Sequence, residues 1–146
     1  PTMEEVDALM STGVEIIAMD ATARTRPGGV ELADFFAEVR KKYPDQLFMA
    51  DCSTVEEGIA ARKLGFDIIG TTLSGYTPYT KGQKLPNFDM MKTLVKEAGN
   101  PVIAEGGVWT PEELRQALDC GVHAAVVGTA ITRVMDITKH FVAAIE

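Results

Sequence analysis

The sequence predicts a parallel α/β protein in which five strands alternate with six helices, and three features that recur together carry this prediction. The pattern Thr-x-Glu-Glu occurs at Thr2–Glu5, Thr54–Glu57 and Thr110–Glu113. Each is a capping box, in which the threonine hydroxyl accepts from a first-turn N–H and the glutamate three residues later reaches back to the threonine amide. Eleven residues after each threonine stands a glycine, Gly13, Gly65 or Gly121, suited to the left-handed residue that ends a helix of about three turns. An apolar run follows each glycine, at Val14–Met19, Phe66–Gly70 and Val122–Val127. Short, nearly continuous apolar strands between capped amphipathic helices are the mark of a parallel sheet covered on its faces.

The remaining elements fit between these copies. A helix around Val30–Lys42 leads to a strand at Leu47–Ala50, and a helix around Phe88–Ala98 leads to a strand at Val102–Ala104. Pro111 at the first helical position strengthens the third capping box. A last helix is expected over Asp136–Ile145. The order is α-β-α-β-α-β-α-β-α-β-α across a single domain, residues 1–146, starting on a helix.

Two architectures accommodate this order. The length suits a five-stranded doubly wound sheet, whereas a (β/α)8 barrel needs at least ~200 residues. The polar strand exits favour the barrel, in which case this chain covers the last five strands and six helices and the first three strands are missing. Pro1 in place of an initial Met is in keeping with a fragment or a processed chain.

Composition narrows the function. The net charge of −7 argues against a nucleic-acid or membrane-surface role, which needs clustered Lys and Arg. Hydrophobic residues make up 46% and charged residues 24% of the chain, so it is globular rather than disordered. Cys52 and Cys120 form no CxxC or metal-ligand cluster and read as buried thiols in a reducing cytosol. No apolar run approaches the ~20 residues that span a bilayer.

In parallel α/β folds the ligand lies beyond the carboxyl ends of the strands. Those exits carry Asp20, Asp51, Thr71 and Thr72, Glu105, and Arg133. Asp20 and Asp51 are balanced between capping and function. Glu105 leaves an apolar strand directly before Gly106 and Gly107, which let a ligand come close, and is the strongest candidate for chemistry. Gly106, Gly107, Gly128 and Thr129 end the last two strands, where backbone N–H groups hold phosphate in phosphate-binding barrels. Arg133 adds a fork-shaped cation. The loop Tyr76–Pro86 either closes over a ligand or is plain surface; Trp109, His123 and His140 read as structural.

The runs Ile17-Ala18-Met19-Asp20-Ala21-Thr22, Met49-Ala50-Asp51-Cys52-Ser53-Thr54 and Thr71-Thr72-Leu73-Ser74-Gly75-Tyr76-Thr77, with Val102–Gly106 and Val126–Arg133, resemble N-acetylmannosamine-6-phosphate 2-epimerases. The resemblance implies a (β/α)8 barrel that interconverts N-acetylmannosamine 6-phosphate and N-acetylglucosamine 6-phosphate without metal or redox cofactor, in sialic-acid breakdown. It further implies Glu105 as a catalytic acid/base, Asp51 and Arg133 as substrate-site residues, and phosphate at Gly106, Gly107, Gly128 and Thr129. Asp20, Ser74 and Tyr76 are expected to bind substrate as well. The position of Gly107 is a longer polar residue in some members, and that of Thr129 is often glycine. The family's catalytic lysine lies upstream of Pro1, so this stretch alone is expected to be inactive, and poorly soluble or oligomeric. The complete protein is expected to be a cytoplasmic homodimer acting on a phosphosugar. The alternatives are another phosphate-binding barrel enzyme and a non-catalytic phosphosugar-binding domain.

Overall fold

A computed structural model describes residues 1–145. The elements in chain order are α1 (Met3–Met10), β1 (Ile16–Asp20), α2 (Leu32–Lys42), β2 (Leu47–Asp51), α3 (Val55–Leu64), β3 (Ile68–Gly70) and α4 (Phe88–Glu97), then β4 (Val102–Ala104), α5 (Pro111–Asp119), β5 (Ala124–Ala125), α6 (Thr129–Thr132) and α7 (Val134–Val142). A single 3-10 turn, Pro27–Gly29, precedes α2.

All three capping boxes form. The hydroxyls of Thr2, Thr54 and Thr110 accept from the amides of Glu5, Glu57 and Glu113 at 3.3, 3.2 and 3.1 Å. Each glutamate in turn accepts from its threonine amide. Gly13, Gly65 and Gly121 are left-handed, with φ of 76°, 97° and 87°. Thr110→Ala removes one acceptor from an exposed cap and is expected to destabilise the full-length protein by about 1 kcal/mol. Thermal unfolding measures this, and an unchanged Tm contradicts it.

The structure corrects two element boundaries. The fifth strand, expected over Val122–Val127, pairs only at Ala124–Ala125, because a ladder extends only as far as its one neighbour β4 is in register. The exit of the fifth strand carries a further short helix, α6, so the described residues hold seven helices where six were expected.

The sheet decides between the two architectures. Its strands run in the order β1-β2-β3-β4-β5, and every neighbouring pair is parallel. A doubly wound sheet reverses its order at a switch point. Here each crossover steps to the next strand in the same direction, and crossovers of the usual right hand then gather the helices on one face. The five strands are consecutive staves of a (β/α)8 barrel.

Alternation sorts the side chains. Ile17 and Met19 on β1, Phe48 and Ala50 on β2, Ile69 on β3 and Val102 and Ala104 on β4 are buried in the core cluster shared with the helices. Phe36 of α2 stacks on Phe66 with ring centroids 3.7 Å apart and meets Phe48 edge-on at 5.6 Å. The alternate residues Ile16 and Leu47 stay nearly half exposed on the opposite face. Among the described residues, no helix is long and apolar enough to cross a membrane.

Candidate active site

Parallel register brings the strand exits to one rim. Asp20 and Asp51 are ladder partners at the ends of β1 and β2. Glu105 follows β4 directly. Its backbone is held by Thr71, a fully buried residue after β3. The Thr71 hydroxyl accepts from the Glu105 amide at 3.0 Å and donates to the Glu105 carbonyl at 2.9 Å. One side chain thus fixes both backbone groups of Glu105 and leaves its carboxylate free to face the rim.

That carboxylate lies on the wall of a cavity of about 390 Å3, which Tyr76, Gly106, Gly107, Gly128, Thr129 and Arg133 also line. Seven of the ten residues singled out in the sequence therefore meet in one place. None of the Gly106, Gly107, Gly128 and Thr129 amides has a protein acceptor among the described residues, so all four are available to an anion. Arg133 is held at the rim by Asp136, with Nε 3.1 Å from Oδ2.

Both glycines after Glu105 are left-handed, at φ 100° and 75°. A Cβ on Gly107 would lie 2.4 Å from Cβ of Leu85, at the end of the long loop. Backbone and loop therefore meet at a distance that only glycine permits. The loop is anchored rather than loose: the Thr80 hydroxyl accepts from the amides of Gly75 and Thr77 at 3.0 and 3.3 Å.

Asp51 and Glu105 are linked through one hydroxyl. Thr72 Oγ1 lies 2.7 Å from Asp51 Oδ1 and 3.3 Å from Glu105 Oε2. It carries one proton, so it donates to one carboxylate at a time. Burial pushes the Asp51 carboxyl up to about 6. The Thr72 hydrogen bond opposes this rise, and the negative charges of Glu105 and Asp20 add to it. When Asp51 is protonated it can donate to Thr72, leaving Thr72 to donate to Glu105. The three groups form a hydrogen-bonded chain.

Asp20 is differently occupied. Burial disfavours its charge, but bonds from the Thr22 hydroxyl at 2.6 Å and the Thr22 amide at 2.8 Å, with the Arg24 charge, outweigh this and lower its pKa. It borders the neighbouring cavity with Asp51 rather than the one that Glu105 lines. Ser74 is buried and turned into its own loop, where it contacts Gln83 at 3.5 Å and accepts from Asn87 at 3.3 Å.

Some contributors escaped the sequence reading. Trp109 and His140 read as separate structural residues, yet their rings stack 4.7 Å apart at 16°, and Trp109 forms part of the wall of the cavity beside Gly107. A tryptophan two residues beyond the glycine pair was the available signal for the wall; its partner on α7 had none.

The family model described as "Putative N-acetylmannosamine-6-phosphate epimerase" matches residues 1–146. The chain belongs to this epimerase family. A curated relative from Caldanaerobacter subterraneus subsp. tengcongensis, described as "Putative N-acetylmannosamine-6-phosphate 2-epimerase", is 51% identical over 146 residues. The match takes in 100% of this chain and 62% of that relative, so the chain spans under two thirds of the family member's length. The solved N-acetylmannosamine-6-phosphate 2-epimerase from Clostridium perfringens superposes with a TM-score of 0.90 at 53% identity, over 99% of this chain and 62% of that one. Thiamine phosphate pyrophosphorylase from Pyrococcus furiosus, at 20% identity, shares the fold with a TM-score of 0.67 over 92% of this chain and 59% of its own.

Proposed function

We propose that the full-length protein interconverts N-acetylmannosamine 6-phosphate and N-acetylglucosamine 6-phosphate by removing and returning the proton at C2. The observation that carries this reading is the placement of Glu105 in one cavity with four unpartnered backbone amides. The amides of Gly106, Gly107, Gly128 and Thr129 take the phosphate, and Arg133 supports it from the rim. Glu105, and Asp51 through Thr72, then meet the reacting end of the sugar, with Tyr76 on the wall.

C2 of a 2-acetamido sugar is weakly acidic. Inversion needs a base on one face, stabilisation of the enolate-like intermediate, and an acid on the other face. Glu105 supplies one of these groups. Among the described residues no lysine lines the cavity. In this reading the second group is the lysine that the family resemblance implies, in the part of the family's length that this chain does not span, and residues 1–146 alone are expected to be inactive. In the same reading the complete enzyme is a homodimer and works in the cytoplasm, in sialic-acid and amino-sugar catabolism, without nucleic acid as a partner.

Full-length protein incubated in D2O with N-acetylmannosamine 6-phosphate should yield both epimers, each deuterated at C2, in proton NMR spectra. Thermal stabilisation by the sugar phosphate without deuterium uptake would instead identify a binding domain, and turnover of other phosphosugars alone would identify a different barrel enzyme.

A further inference from the structure

The three capping glutamates share a sequence context but not a role. Among the described residues Glu5 accepts only from Thr2, and Glu113 accepts from the amides of Thr110 and Trp109. Glu57, 9% exposed, accepts five hydrogen bonds that join three strand exits. Its Oε2 takes the Ser53 amide at 2.7 Å, the Ser53 hydroxyl at 2.7 Å and the Thr54 amide at 3.0 Å, all after β2. Its Oε1 takes the Ala23 amide, after β1, at 2.9 Å and the Tyr79 hydroxyl, from the loop after β3. Two carboxylate oxygens offer about four lone-pair sites, so five donors saturate them. No cation pairs with Glu57 among the described residues; the donors alone hold its charge.

We propose that Glu57 is a positioning residue for the active site, acting through Tyr79 to set the wall that Tyr76 presents to the substrate. On one side Glu57 grips Ser53, two residues beyond Asp51. On the other it grips Tyr79, three residues beyond Tyr76. The turn between the two tyrosines is itself closed by the Thr77–Thr80 hydroxyl pair at 2.7 Å, and Thr77 contacts the Ser53 hydroxyl at 3.4 Å. Moving Tyr79 therefore moves Tyr76 relative to Asp51 and Thr72. Burial penalises the Glu57 charge, but the hydrogen bonds, that of Tyr79 first, outweigh it and lower the pKa, so the clamp stays charged at neutral pH. The inference rests on the epimerase reading for the identity of the substrate.

The test is Tyr79→Phe in the full-length protein, which keeps the ring and removes one of five donors. Positioning predicts a KM for N-acetylmannosamine 6-phosphate raised about tenfold, kcat within threefold, and nearly unchanged Tm. Glu57→Gln should raise KM at least as much and also lower Tm, because both Glu57 oxygens face backbone N–H groups and either amide orientation opposes a donor with a donor. The double variant should show little further rise in KM, since both changes break one unit. A wild-type KM in Tyr79→Phe overturns the proposal and leaves Glu57 a structural brace. If wild-type protein shows no turnover, the epimerase reading fails separately. The calorimetric Kd of the same sugar phosphate then decides: about tenfold weaker in Tyr79→Phe supports positioning, and an equal Kd overturns it.

Discussion

Replacing Glu105 with Gln is expected to lower kcat/KM of the full-length protein by about 10^3-fold or more, within the span by which one positioned acid or base accelerates a reaction. The substitution keeps the size of the side chain and its capacity to accept from Thr72, so the cavity and its amides should survive. Thr71 binds the backbone of residue 105, not its side chain, so the fold around it should also hold. What disappears is the ability to take or return the C2 proton. Substrate binding, measured by calorimetry, should change much less than turnover. The same variant should lose deuterium exchange at C2 in step with epimerisation. A variant that epimerises at the wild-type rate would remove Glu105 from the mechanism and leave it a lining residue.

Asp51→Asn is expected to have two effects of opposite sign. Burial holds the folded Asp51 carboxyl up at about 6 against 3.8 for the free group, so the folded state keeps its proton over a range where the unfolded state has lost it. The sign follows directly. Asp51 costs the fold nothing extra below about pH 4, and its penalty grows as pH rises to about 6 and is complete above that. Asn carries no such penalty and still accepts from Thr72. The Asn variant should therefore match wild-type stability near pH 4 and exceed it at pH 7 by up to roughly 2 kcal/mol, discounted for partial exposure. Activity should move the other way. Loss of the Asp51–Thr72–Glu105 chain should reduce kcat by about 10^2-fold and remove the limb near pH 6 that Asp51 is expected to give the kcat profile. Urea titrations at pH 4, 5.5 and 7 test the first effect, since a stability difference independent of pH rules out the raised pKa. A pH–rate profile tests the second, and an Asn variant that keeps the limb near pH 6 assigns it to another group.

Much of the fold was legible because its signals are local. A capping box spans four residues, and the left-handed glycine that closes each unit sits a fixed eleven residues on, so neither depends on the rest of the chain. The strand positions followed from those punctuation marks, with errors at the ends: β5 is shorter than its apolar run because pairing, unlike hydrophobicity, needs a partner in register. The prominence of Glu105 came from its place between an apolar strand and two glycines, and the family came from the exit motifs. Ser74 shows the limit of motif reading. It sits in the most distinctive run of the sequence, yet its hydroxyl is taken up by Gln83 and Asn87 inside the loop.

By itself, then, the sequence determined the βα units and the family, both of which rest on contacts a few residues long or on motifs in series. The tertiary structure decided the rest. Strand order, which the sequence left open between sheet and barrel, depends on where each crossover lands. The raised pKa of Asp51 comes from burial and from Glu105, which lies on another strand exit. The role of Glu57 is invisible in its capping box because two of its donors, Ala23 and Tyr79, lie 34 and 22 residues away. Dielectric environment and long-range hydrogen bonds exist only once the strands stand side by side, and those two quantities turn a row of polar exits into a site.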